Sequence, residues 1–273
     1  MQVCTGELRR RIKRGDLLLS AQIADSSSGT AAEIFHAAGY NVVVIDREHT
    51  ALNSETVREH IRVCRLLGLP SIVRVNTGNY SELNRTLDQA PDGFVVPRVR
   101  SKTQVEEIIH TVMYPPDGVR GLAGYGCPVG KYSGWGSRQE QLETVNQNLV
   151  VGIQIETKEA IDDLDGILSV ERVDMAIVGN DDLSTSLGMP GEADSPAYHS
   201  VVREVIRACE RHGVLPGIPC GDAKIARYWI EQGMRMIWYG SDVAFLWSGA
   251  NRRITELRHA LEESSAAGLM GRL

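Results

Sequence analysis

Eight short apolar runs, each followed by a stretch of helical periodicity, constrain this chain more than any other feature. They fall at 17–24, 41–46, 70–75, 93–97, 150–157, 175–184, 214–218 and 236–240, the fifth and sixth counted with the acids that follow them. Four β-branched residues in a row, Val42-Val43-Val44-Ile45, mark a strand buried on both faces. Between the runs, 54–67 places Val57, Ile61, Cys64 and Leu67 on one helical stripe. Ser195-Pro196 supplies an N-cap and a first-turn proline for the helix carrying Val201, Val202, Val205, Ile206 and Cys209. Short strands alternating with helices must pair in parallel, and eight of them close a barrel. The expected fold is therefore α/β, a single (β/α)8 TIM barrel over 1–273. A doubly wound open sheet is the runner-up.

Such a fold puts chemistry at the C-terminal ends of its strands, and the polar residues there are legible. The fifth run ends in Gln154-Ile155-Glu156 and the sixth in Asn180-Asp181-Asp182, with a helix expected between them. Two parallel neighbours bring Glu156 and Asp182 to one edge. They are hard oxygen donors with no adjacent thiolate or imidazole, which suits Mg2+ or Mn2+. On the residues alone two other readings stay open: an acid neutralised by a barrel arginine such as Arg74, or a glycosidase carboxylate pair. An aromatic content of 5% speaks against sugar stacking. The second run ends in Asp46-Arg47-Glu48-His49, where a carboxylate three residues from an imidazole suggests an acid–base dyad. Arg74, inside a β-branched strand, is costly to bury unless it meets an anion.

Composition excludes several classes. A net charge of −6 argues against a nucleic-acid or anionic-membrane surface. The densest basic cluster, Arg9-Arg10-Arg11 with Lys13 and Arg14 on a short N-terminal helix, reads as a solvated helix face. Five cysteines without a C-x-x-C pair fit reduced thiols and a cytoplasmic protein. No apolar run approaches the roughly 18 residues of a spanning helix. The glycine-rich stretch 117–136 is too long for an ordinary connection and reads as functional or mobile.

Six segments, taken in order, resemble the metal-dependent (class II) 2-oxo-acid aldolases of the HpcH/HpaI type. They are Ile45-Asp46-Arg47-Glu48-His49, Val73-Arg74-Val75, Val95-Val96-Pro97, 114–121, Gln154-Ile155-Glu156-Thr157 and 179–184. The resemblance covers about residues 7–260. It implies a phosphoenolpyruvate/pyruvate-type barrel in which Glu156 and Asp182 hold Mg2+, Mn2+ or Co2+. Gln154, Arg74 and the backbone N–H groups of Asp181 and Asp182 would bind the substrate. Arg74 would steady a pyruvate enolate, with Asp46 and His49 moving protons. The implied reaction is cleavage of a 4-hydroxy-2-oxo acid to pyruvate and an aldehyde. Its alternatives are oxaloacetate decarboxylation, or carbon–carbon bond formation as in the related macrophomate synthase; a non-catalytic barrel that binds a 2-oxo acid is a further possibility. The family pattern also implies a homo-oligomer, hexamer or trimer, with the C-terminal helix (about 243–263) exchanged between subunits. Four features depart from that pattern. Arg47 stands where a small residue is usual, Asn180-Asp181 where a proline and a small or amide residue are usual, and Pro219-Cys220 where an aliphatic residue is. The 122–129 stretch lacks the expected Arg-Ala loop, with Lys131, Tyr132 and Trp135 nearby.

Overall fold

A computed structural model of the chain describes residues 5–122 and 136–266. Its eight parallel strands close into a barrel in sequence order, β1 to β8. They are β1 (Leu18–Ile23), β2 (Val42–Asp46), β3 (Ser71–Arg74), β4 (Gly93–Val96), β5 (Val150–Ile155), β6 (Met175–Val178), β7 (Leu215–Cys220) and β8 (Met236–Ser241). Six lie within the expected runs and β7 and β8 reach two and one residues past theirs, because hydrophobic periodicity is strongest where both faces of a strand are buried. Closure by β1 against β8, with Leu18 opposite Met236, decides against the open sheet.

The core has two shells. Val42, Val44, Ile72, Met175, Ile177 and Trp238 belong to the cluster that also takes in Leu8 of the first helix. Val43, Ile45, Val73, Val151, Ile153 and Val178, alternate residues of the same strands, pack with the surrounding helices. Helix α1 (Glu7–Arg14) inserts Leu8, only 1% exposed. It also corrects the reading of the basic cluster: Arg9 pairs with Asp174 at 2.9 Å, and both side chains are largely buried. Arg10 and Arg11 pair with Glu7 on the same helix, as a solvated face would.

Helices α2 (Thr30–Ala37), α3 (Ser54–Leu67), α4 (Tyr80–Leu87) and α5 (Lys102–Val112) follow the first four strands. Helix α6 (Arg138–Asn148) was not anticipated, although Ser137 and Glu140 form a capping box that starts it. Between β5 and β6 the single expected helix is two short ones, α7 (Lys158–Asp162) and α8 (Leu164–Leu168), broken at Asp163. Helix α9 (Asn180–Ser186) begins directly after β6, so Asp181 and Asp182 lie in its first turn. After α10 (Pro196–His212) and α11 (Ala223–Glu231), the last described element is the 25-residue α12 (Asp242–Ala266). Most of the glycine-rich stretch, including Lys131, Tyr132 and Trp135, lies outside the described residues.

Helix α12 does not complete the helical ring. Leu246 and Trp247 are 75% and 71% exposed, and Val243, Ile254 and Leu257 are exposed as well. The place a last barrel helix would fill, between α2 and α11, is a groove of ≈ 670 Å³ lined by Ala38, Tyr40, Ala226, Ile230, Ile237 and Tyr239.

Candidate functional site

The C-terminal ends of β2, β3, β4, β5 and β6 carry the charged groups. Arg74 closes β3 opposite Asp46 of β2 in register. Its Nε donates to Asp46 Oδ1 at 2.8 Å and its Nη2 to Oδ2 at 2.7 Å. Its Nη1 lies 3.1 Å from Glu48 Oε2. The anion that Arg74 requires is thus a pair of acids from the end of β2. Burial opposes the guanidinium's charge, but the bonds from Asp46 and the fields of Asp46, Glu48 and Glu156 hold its pKa above the ordinary value. The ring of Trp238 lies 5.7 Å from the guanidinium carbon.

Asp46 is fully engaged. Gln22 Nε2 donates to Oδ2 at 2.8 Å, and the N–H of Glu48 donates to Oδ1 at 2.9 Å. The carboxylate that reaches the His49 ring is therefore Glu48, at 3.7 Å, rather than Asp46. The His49 side chain is 64% exposed and that of Glu48 9%. Burial raises the Glu48 pKa, against the lowering fields of Arg74 and His49. Arg47 points away from this group and pairs with Glu82 of α4, so it adds no cation beside His49.

Glu156 follows β5 and is 1% exposed. Its Oε1 accepts the N–H of Arg98 at 2.6 Å, and its Oε2 accepts the amide of Gln154 in a short bond. Burial, joined by the like charges of Glu48 and Asp182, pushes its pKa up to about 7. Gly179 makes room for it: a Cβ there would strike the Glu156 carboxylate and lie 2.7 Å from Gln154 Nε2. Asp182 is half-exposed, its Oδ1 3.3 Å from Arg98 Nη1. Asn180 fixes this turn, donating to the Pro219 carbonyl at 3.1 Å and accepting from the Tyr198 hydroxyl at 3.0 Å. The exposed carboxylate of Asp181 takes no part in those contacts.

Two observations bear on whether these residues suit a divalent cation. The site holds a buried carboxylate that is costly to ionise without added positive charge. Beside it, the carbonyl oxygen of Gln154 is buried without a hydrogen-bond partner. Hard oxygen donors with unspent acceptor capacity fit Mg2+, Mn2+ or a similar ion. Among the described residues, no cluster of three or more His, Cys, Asp or Glu side chains forms a closed metal cage. A two-carboxylate site leaves positions open for water and substrate.

Gln22, Glu48 and Arg98 were not marked as site residues from the sequence. Glu48 adjoins His49 and was within reach of that reasoning. Gln22 lies inside β1, and Arg98 two residues beyond β4, where no motif distinguishes them.

The model of the HpcH/HpaI aldolase/citrate lyase family matches residues 24–248. The 4-hydroxy-2-oxo-heptane-1,7-dioate aldolase of Shigella sonnei is 30% identical over 220 residues, 81% of this chain and 83% of that protein. The 2-keto-3-deoxy-L-rhamnonate aldolase of Klebsiella pneumoniae is 29% identical over 250 residues, 90% and 92% of the two chains. Among solved structures, an HpcH/HpaI aldolase from Desulfitobacterium hafniense superposes with a TM-score of 0.86 at 26% identity. That match covers 92% of this chain and 96% of the other.

Proposed function

The chain belongs to the HpcH/HpaI aldolase/citrate lyase family, and from that premise we propose that it is a divalent-metal-dependent carbon–carbon lyase. It would cleave a 4-hydroxy-2-oxo acid to pyruvate and an aldehyde through a pyruvate enolate. The observation that carries this reading is the buried Glu156 carboxylate, pushed to a pKa of about 7 and beside the open acid Asp182. Across the barrel mouth stands an arginine locked by Asp46.

Glu156 and Asp182 would hold the ion. When bound, it supplies Lewis-acid polarisation of the 2-oxo group. Arg74, held between Asp46 and Glu48, is set to balance negative charge as it develops on the enolate oxygen. Gln154 orients Glu156 through its amide. The first-turn N–H groups of α9, at Asp181 and Asp182, have no acceptor within the helix and would take the substrate carboxylate. The exposed His49 imidazole, with Glu48 behind it, would remove the C4 hydroxyl proton directly or through water. Asp46 acts on that proton only through the backbone N–H of Glu48 and by holding Arg74.

The half-site does not depend on which group leaves. Oxaloacetate, losing carbon dioxide, gives the same enolate and needs no aldehyde pocket. Pyruvate release from 4-hydroxy-2-oxoheptanedioate and from oxaloacetate, each with Mg2+ and with EDTA, separates the two activities. Cleavage that survives chelation would sink both.

The same reading takes the protein as a cytoplasmic homo-oligomer. Cys64, Cys209 and Cys220 are buried free thiols, and among the described residues no helix is long and apolar enough to cross a membrane. The exposed apolar side chains of α12 and the apolar groove beside α11 are complementary surfaces. Two copies that exchange α12 would cover both.

A further inference from the structure

Trp238 of β8 packs in the inner core with Val42, Val44, Ile72 and Ile177 and is 5% exposed. Strands β8 and β3 are not neighbours, since β1 and β2 lie between them. The indole nevertheless reaches Arg74 at the end of β3, with the guanidinium carbon over its ring, 5.7 Å from the centre. A side chain that spans from β8 to β3 has to cross the barrel interior. The ring therefore lies between the apolar inner core and the charged residues of the mouth. Its strand is fixed on both sides of it. Ser20 Oγ donates to the Ile237 carbonyl at 3.2 Å, and the Tyr40 hydroxyl donates to the Tyr239 carbonyl at 3.0 Å.

Filling space does not account for a tryptophan here. An indole N–H can only donate, and Nε1 of Trp238 is buried without a hydrogen-bond partner among the described residues. A buried donor left unpaired is unfavourable, and a leucine or phenylalanine would pack without one. What tryptophan adds is the ring face that attracts a cation most strongly. Arg74 is the cation it meets. The edge of that guanidinium is spent, with Nε and Nη2 on Asp46 and Nη1 3.1 Å from Glu48. Its flat face is what remains for the indole.

We propose that Trp238 is a positioning residue for Arg74. Its ring holds the guanidinium in place and keeps water from that side, so that the arginine meets a substrate oxyanion unscreened. The proposal rests on the reading of Arg74 as the partner of that oxyanion. Two acids fix the guanidinium along its edge and the ring fixes it across its face. An anion bound against Arg74 shares the charge that the ring otherwise feels alone. The emission of Trp238 should therefore change when the site fills.

Two variants of the full chain test this. Trp238→Phe keeps an aromatic face and removes the unpaired N–H, so it should fold at least as well as the wild type. Trp238→Leu removes the face. The probes are Mg2+ alone and, with Mg2+ present, oxalate, a small dianion shaped like the enolate of a 2-oxo acid, both read by calorimetry. Trp238→Leu should bind oxalate about tenfold more weakly, the worth of one desolvated cation–ring contact, and Trp238→Phe should stay within about threefold of the wild type. Neither should bind Mg2+ differently, whereas general damage to the site would weaken both ligands. Oxalate should change the tryptophan emission of the wild type, and Trp238→Phe should lose most of that change while keeping the other three tryptophans. Oxalate affinity unmoved by Trp238→Leu, an equal loss in both variants, a parallel loss of Mg2+, or an emission change that survives in Trp238→Phe would each overturn the proposal. If Trp238→Leu does not fold, the affinity and emission of Trp238→Phe decide it. Pyruvate release from 4-hydroxy-2-oxo acids is measured separately. Oxalate bound as expected by a chain that cleaves none of them would count against the lyase reading alone.

Discussion

Asp46 and Arg74 face each other across β2 and β3 as a bidentate pair, at 2.8 and 2.7 Å, with side chains 2% and 11% exposed. Neither charge tolerates burial alone. Arg74→Ala should therefore cost about 3 kcal/mol in denaturant melts, because it strands the Asp46 charge. Arg74→Lys should recover part of that stability but little activity, since an ammonium cannot reproduce the two-bond fork.

Glu156→Gln keeps the shape of the buried side chain and removes its charge. Pyruvate release should fall about 100-fold or more, and added Mg2+ should no longer raise it. The thermal midpoint should not drop, because a buried, like-charge-crowded carboxylate has been replaced by a neutral amide. A variant that stays Mg2+-dependent at near wild-type rates would remove Glu156 from the site.

His49→Ala touches an exposed side chain, so melts should be unchanged while kcat falls about 100-fold, the usual worth of a positioned general base. Glu48→Gln tests the acid behind the imidazole. It should shift the pH profile of kcat, whereas a purely structural role would lower activity evenly across pH.

Leu246→Glu and Trp247→Glu each put a charge on the exposed apolar face of α12. If α12 is exchanged between copies, light scattering after size exclusion should show a smaller species than the wild-type oligomer. An unchanged mass would place the interface elsewhere.

His60 is fully buried, its Nε2 bonded to the Ser26 carbonyl, and burial lowers its pKa below the ordinary value of 6.5. The unfolded chain therefore binds the proton first as pH falls. Its contribution to stability is complete above about pH 6.5 and is lost as pH drops towards the depressed folded value. His60→Gln should flatten that part of the stability profile.

The strands and the acids at their ends were legible because their signals are local. Val42 to Ile45 announce a doubly buried strand, and the next residue, Asp46, must then stand at its C-terminal end. The same reasoning put Arg74, Glu156 and Asp182 at one edge of the barrel. Helix α6 was not legible: the capping box of Ser137 and Glu140 is its one local signal, and its weakly amphipathic sequence hides the rest.

What the tertiary structure alone decided is who pairs with whom. Asp46 takes Arg74, 28 residues away, in preference to His49, three away. Arg9 leaves its helix face for Asp174, Arg47 crosses to Glu82, and Arg98 spans to Asp182. Helix α12 packs Phe245 against Phe35 and Tyr40, but its later turns are largely exposed and the groove is left open. Period and hydrophobicity fix where a residue lies along its own strand. The partner of a charge is fixed by strand register, by barrel closure and by which counter-charge is also withdrawn from water, and these distances exist only once the chain has closed on itself.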